Sequence, residues 1–406
     1  MKKAIDFIYN RYDYYIIVLI ASLAAGGLGG AFQPFRVISF LLFPELVRAI
    51  HKHRGWITPF IITIFLFFVY AILSIIWAPV GSEWTAHLAY CIFHFLLFIE
   101  IVAFSFCANK PFAALSTGWL VAVALTLVVA MWEITTDNHL SISKQQSNEQ
   151  VNLGYTIFIR QFASVTFFNY NSYVTFLCFA MPFLFYVLLM KGRGTIWKGW
   201  SILSLVLSAV CILFNASRGG LITMMTMAAI YFLMSLKNRR AGFSILLIIA
   251  GALLAISYFG DSLFTMMEVR SSEGALFEGG SRYEIWEHAM NVFFSTYGMG
   301  TGLGGIIVEM NREWRGIPVT HNIFLEILLE FGIIIFVAFI FYLVRLFKNA
   351  RRFAGRDEKI TVFLAILALP IYGIIDSGYL SHPHVFAAFA SLSVFTNMNI
   401  IKKTRR

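Results

Sequence analysis

The chain is expected to be an all-α membrane protein, a polytopic bundle of about twelve transmembrane helices with one large, partly helical loop outside the cytoplasm. Three observations lead there. Of the 406 residues 59% are hydrophobic and only 13% are charged, more apolar surface than a soluble domain can hide. Apolar runs of about 17 to 25 residues, the length that spans a bilayer core, recur along the whole chain. Lysine and arginine collect in alternate connections, as they do in cytoplasmic loops.

Spans are expected at 14–31, 35–50, 57–78, 86–107, 112–134, 172–190, 199–215, 218–236, 242–259, 322–344, 360–378 and 384–401. Lys2, Lys3 and Arg11 precede the first run and no small-residue cleavage site follows it, so this span is expected to be retained. The second is short and carries Arg36, Glu45 and Arg48, which also suits a re-entrant or interfacial helix. Cys91, Cys107, Cys178 and Cys211 all lie within apolar runs, without CxxC spacing. They read as core residues rather than as a disulfide framework or a zinc site. With no internal repeat or soluble boundary, residues 1–406 form a single membrane domain. Two outer loops, 135–171 and 260–321, exceed the length of plain connectors, and long loops in compact proteins are usually functional.

With both termini in the cytoplasm, 23 of the 31 basic residues fall on the inside. The net charge of +10 is then explained by topology and anionic lipid, and nucleic acid is not an expected partner. The eight arginines and lysines left on the outer side, Arg160, Arg218 and Arg282 among them, need a separate reason.

Three outer segments carry candidate chemistry. Asn215-Ala216-Ser217-Arg218-Gly219-Gly220 places Arg218 at the outer N-terminus of a membrane helix. Free N–H groups and the helix dipole favour an anion there, and Gly219 and Gly220 would let a phosphate come close. The plainer alternative is an arginine reaching to lipid headgroups. In the 260–321 loop, Ser281 can cap a helix running to Phe294, with Arg282, Trp286, Met290 and Phe293 on one face. A cation in that first turn opposes the helix dipole, so an anionic ligand or a salt bridge to Glu278 is expected. His321-Asn322 opens a later span in which Asn322, Glu326 and Glu330 recur every four residues as a polar stripe. Carboxyls on a membrane helix are costly, and they are functional or paired by default. An imidazole at the helix mouth suits a general base near neutral pH.

Other signals are discounted. Gly300-Thr301-Gly302-Leu303-Gly304-Gly305 matches GxGxxG, but it lacks the strand and acidic partner of a dinucleotide site and reads as a flexible loop. His382 and His384 flank Pro383 without a further Cys or Asp cluster for metal. His94 and Glu100, six apart, face different ways and read as separate packed polar groups. A P-loop and an Asp-x-Asp pair are both missing, so neither nucleotide-driven transport nor nucleotide-sugar chemistry is expected.

The pattern of Ser217-Arg218-Gly219-Gly220, Arg282 with Gly300–Gly305, and His321-Asn322 followed by Leu325-Glu326 and Glu330-Phe331-Gly332 resembles the O-antigen ligase and polymerase superfamily. The resemblance covers mainly residues 160–345. Phe168-Asn169-Tyr170-Asn171 is similar to the family's Phe-x-Asn-Pro-Asn segment, with tyrosine in place of proline. It implies a glycosyltransferase of the type C kind in the bacterial inner membrane. Such an enzyme moves a glycan from undecaprenyl pyrophosphate to a hydroxyl of lipid A-core or another acceptor in the periplasm, with inversion and without metal or other cofactor. By the same resemblance Arg218 and Arg282 hold the pyrophosphate and His321 takes the acceptor's proton. Arg160, Gly219, Gly220, Asn322 and Glu326 are expected around the substrate. A polymerase joining lipid-linked repeat units uses the same donor chemistry. A flippase of lipid-linked glycans is the alternative from another class, and it has no need of His321 beside two arginines.

Overall fold

The computed structural model describes residues 9–52, 59–79, 82–143, 150–152, 157–159, 162–235, 278–313 and 320–404. The expected span at 242–259 and the candidate Arg160 lie outside the described residues. Among the described residues there are thirteen α-helices: α1 (Arg11–Ala21), α2 (Pro34–Lys52), α3 (Pro59–Leu73), α4 (Ser82–Cys107), α5 (Pro111–Thr136), α6 (Tyr170–Leu189), α7 (Thr195–Phe214), α8 (Arg218–Ser235), α9 (Glu278–Ser295), α10 (Gly305–Glu313), α11 (Ile323–Phe353), α12 (Arg356–Tyr372) and α13 (Pro383–Thr404). One short antiparallel ribbon, β1 (Gln150–Asn152) against β2 (Ile157–Ile159), lies in the 135–171 loop and leaves the all-α class as expected.

Among the described residues six helices, α4 to α8 and α11, are long and apolar enough to cross a membrane, so the chain is a multi-pass helical membrane protein. The first expected span does not run to residue 31. α1 ends at Ala21 and passes through a 3-10 turn, Ser22–Ala25, into a reversal at Gly26. That reversal is fixed from outside. Gly27 N–H donates to Thr166 O at 2.8 Å, and the Thr166 hydroxyl donates to Ala24 O at 2.6 Å. α3 likewise stops at Leu73 and tightens into a 3-10 turn, Ser74–Ile76.

The core is organised around α6. Its sequence is hydrophobic on every side, and nearly every residue from Tyr170 to Leu189 is buried, as expected of a helix with no solvent or lipid face of its own. α5, α7, α8 and α12 pack around it. Trp119 of α5 stacks on Phe183 at 5.3 Å, and Phe179 meets Tyr372 of α12 edge-on at 4.7 Å.

The two ends of the bundle differ in kind. At one, charged and amide side chains tie helix ends together directly. Glu45 lies between Arg11 and Arg48, and Arg193 donates to the Tyr9 and Thr117 hydroxyls. At the other end, irregular backbone from several loops interlocks, and the candidate residues lie there.

Candidate active site

The segment between α12 and α13 links the candidate residues. Its backbone is stiffened by Tyr379, whose hydroxyl donates to Tyr372 O at 2.8 Å and accepts from Ile375 N–H and Asp376 N–H. Its carbonyls and side chains then reach outward. Gly373 O accepts from Ile323 N–H at 2.8 Å, two residues after His321. Ile374 O accepts from Arg282 Nη1 at 3.1 Å. Ile375 lies so close to Gly219, the neighbour of Arg218, that a β-carbon there would meet its Cγ1 at 2.9 Å. Three successive residues therefore hold the surroundings of His321, Arg282 and Arg218 to one strip of chain.

Arg218 is the first residue of α8 and is exposed. The turn before it is set by Ala216, whose φ of 47° reverses the chain out of α7, and by Ser217, whose hydroxyl accepts from Gly220 N–H at 3.3 Å. Asn215 anchors this turn to the 135–171 loop: it accepts from Ala163 N–H at 2.7 Å and donates to Ala163 O at 2.9 Å. The glycines also have a packing role. The space that a β-carbon of Gly220 would take belongs to Val174 and Ile212, at 2.7 and 2.8 Å. Gly219 and Gly220 thus admit neighbouring helices and the Ile375 strip.

α9 starts at Glu278, one turn earlier than a Ser281 cap would give, and Arg282 bonds the Ile374 carbonyl. The buried face is also turned from the expected one. Ile285, Ala289, Val292 and Phe293 pack against Leu328 and Leu329 of α11, while Trp286 and Met290 flank them, partly buried. This rotation leaves Arg282 half-buried at the edge of the packed face. Trp286 Nε1 donates to Thr320 O at 2.8 Å, which fixes α9 against the residue preceding His321.

His321 has a φ of 48°, an uncommon conformation for a residue with a side chain. Such geometry persists where the surroundings over-determine it. Here the Trp286 bond to Thr320 holds one side and the Ile323 bond to Gly373 the other. Asn322 is the N-cap of α11, its side chain accepting from Phe324 N–H at 2.9 Å and Leu325 N–H at 3.4 Å. Glu326, 3% exposed, accepts from Gly378 N–H at 2.7 Å and Tyr379 N–H at 2.8 Å, one on each oxygen. Both were expected to touch substrate. Their visible work is to shape the helix mouth and hold the 373–379 strip.

Glu330 serves the second loop. Its carboxylate accepts from Gly304 N–H and lies 3.7 Å from His87 Nδ1. The GxGxxG segment is not the flexible loop expected from sequence. Residues 300–305 are buried and fit into a break in α11 at Gly332, where φ is 70°. Thr301 N–H and Gly302 N–H donate to Leu329 O and Glu330 O at 2.7 and 2.9 Å, carbonyls that the break deprives of helical partners. A β-carbon on Gly332 would lie 2.5 Å from Gly298 O, so only glycine fits.

His382 Nε2 lies 3.3 Å from Asp376 Oδ2, and its ring stacks 5.1 Å from that of His384. His94 approaches Leu380 O at 3.1 Å. Among the described residues no group of three His, Cys, Asp or Glu is arranged to hold a metal ion. The 373–379 strip and the roles of Asn215 and Glu330 were not anticipated. A faint sequence signal existed for each: glycines bracketing Asp376, and polar residues interrupting apolar runs.

The 373–375 strip thus borders the backbone around Arg218, Arg282 and His321, and guanidiniums suit bidentate binding of phosphate oxygens. No curated protein matches the chain. A family model described as O-antigen ligase matches residues 203–340, the segment that holds Arg218, Arg282, His321, Asn322 and Glu326, and over that segment the chain is similar to the O-antigen ligases.

Proposed function

We propose that this protein is a glycosyltransferase of the bacterial inner membrane that transfers a glycan from undecaprenyl pyrophosphate to a hydroxyl of a lipid A-core acceptor, with inversion at the anomeric carbon. The observation that carries the proposal is the 373–375 strip, which ties the surroundings of Arg218, Arg282 and His321 together. In the proposed step the acceptor oxygen attacks the anomeric carbon while the bond from that carbon to the diphosphate oxygen breaks. His321 accepts the hydroxyl proton, and the electron pair of the broken bond leaves on the diphosphate. Arg218 and Arg282 offset the charge that develops there.

The proposal includes the topology: about twelve spans, both termini in the cytoplasm, and the 260–321 loop in the periplasm contributing Arg282 to a single membrane domain. Residues 135–171 and Arg160 belong to the same outer face.

The test is glycan transfer by purified protein from an undecaprenyl-pyrophosphate donor to lipid A-core, with metal chelator present throughout. Product with the native protein, and none with a folded His321→Ala variant that still binds donor, supports the assignment. Donor binding without any product on the core acceptor overturns the ligase reading. Elongation of two carrier-linked repeats would then identify a polymerase, and donor movement across a bilayer without bond formation a flippase.

A further inference from the structure

At the end of the bundle opposite the candidate active site, the turn from α6 to α7 separates two hollows. On one side lies a chamber of about 740 Å³ whose lining includes Lys191, Arg193, Lys198 and Arg356 with Asp357 and Glu358, four cations to two carboxylates. On the other lies a groove of about 730 Å³, almost wholly apolar, between Leu120, Val121 and Ala124 of α5 and Ile196, Trp197 and Trp200 of α7.

The wall between them is a single construction. Arg193 is buried, donates to the uncharged hydroxyls of Tyr9 and Thr117 at 2.7 and 2.5 Å, and lies 4.3 Å from the ring centre of Trp197. One acid of the chamber is already engaged, since Glu358 accepts from the Tyr186 hydroxyl at 3.0 Å. Burial raises the Asp357 carboxyl above its ordinary range, with Glu358 adding to the rise. Lys191, Arg356 and Lys198 act against it, so each of these charges is in electrostatic reach of Asp357.

The groove opens to the outside of the bundle: Ile196 is 75% exposed and Trp200 53%. Both stand in the first two turns of a candidate membrane span, the depth at which tryptophan marks the boundary between headgroups and acyl chains.

We infer that this end of the molecule binds an anionic phospholipid, its phosphate in the chamber of Lys191, Arg193, Lys198 and Arg356 and an acyl chain in the groove beside Trp200. An excess of cations favours a phosphate diester, and an apolar groove sharing a wall with the chamber suits the attached chain. A soluble anion would use the chamber alone, whereas a neutral lipid would use the groove without the charges. The two hollows together select a ligand with both parts. The site is separate from the candidate active site and does not depend on the reaction proposed for it.

The test uses full-length protein in phosphatidylcholine nanodiscs doped with phosphatidylglycerol, with retained lipid counted by native mass spectrometry after mild delipidation. Phosphatidylglycerol should be retained in preference to phosphatidylcholine, and Lys191→Gln with Lys198→Gln should weaken its retention about tenfold. Trp200→Ala should weaken it without changing its dependence on salt. The pair Arg351→Gln and Arg352→Gln removes the same charge from the end of α11 and should leave retention within about twofold. Equal retention of the two lipids, no change in the lysine variant, or an equal loss in the Arg351 and Arg352 variant would each overturn the proposal. Inorganic phosphate that competes fully with the lipid would overturn the role of the groove.

Discussion

Glu326 and Glu330 lie one turn apart on α11, both buried, and accept two backbone N–H groups and one, respectively, each from a different loop. The loops they hold nevertheless do different work. Glu326 holds residues 378 and 379, and the strip just before them bonds Arg282 and Ile323 and packs on Gly219. Glu330 holds Gly304, whose loop fills the break in α11 and is tied back to α3 and the turn after it. Tyr70 donates to Met299 O, Trp77 to Gly300 O, and Leu303 N–H to Ser74 Oγ. The same chemistry, a carboxylate collecting amide donors, thus positions a candidate site in one case and completes a scaffold in the other. What separates them is what else the captured backbone touches.

The scaffold side should break hardest. Gly332→Ala puts a β-carbon 2.5 Å from Gly298 O at a φ of 70°. We expect a cost on the order of 2–4 kcal/mol, read as loss of the monodisperse peak in size-exclusion chromatography. A well-folded G332A protein would show that the 298–305 loop can shift, and the distinction between the loops would blur.

Next is Glu326→Ala, which strands the N–H groups of Gly378 and Tyr379. Each buried donor left unpaired costs about 1–3 kcal/mol, and transfer by the protein that still folds should fall at least about tenfold because Arg282 loses a fixed partner. Glu326→Gln keeps one acceptor oxygen and should fall between. Unchanged specific activity in E326A would mean that the strip does not position the site.

A smaller effect is expected for Asn322→Ala, which removes the cap of α11 at a cost of about 1 kcal/mol. A thermal melt should register it, whereas Asn322→Asp, which retains the capping oxygen, should restore the lost stability. Failure of that rescue would point to a role for Asn322 beyond capping.

Smallest is Glu330→Gln, whose amide oxygen can still accept from Gly304. Transfer per folded molecule should stay within about threefold of the native protein. A larger loss with the melting temperature unchanged would bring Glu330 and His87 into the site and erase the contrast drawn above.

How much of this was legible beforehand varies by region. The stripe Asn322, Glu326, Glu330 was visible as polar residues every four positions, because a helix repeats faces with that spacing whatever surrounds it. Their partners were not visible, since Gly378 and Tyr379 are more than fifty residues away in the chain. Arg282 was legible as an anomaly in its helix, yet its hydrogen bond to Ile374 depends on the packing of α9, and the packed face turned out rotated from the predicted stripe. Gly300–Gly305 looked loose because glycine relaxes the backbone. Only the break in α11 shows that those glycines permit close approach instead.

The sequence by itself determined the membrane helix class, the alternation of basic connections and the location of Arg218, Arg282 and His321 in non-apolar breaks between spans. Those features follow from transfer energies and short-range periodicity, which each residue carries with it. The tertiary structure alone decided that residues 373–375 draw these breaks together, that Gly219 and Gly220 serve packing, and that two neighbouring glutamates hold unlike loops. Backbone groups freed where helices end or break must find partners somewhere, and which loop supplies them is a matter of three-dimensional proximity that no local pattern encodes.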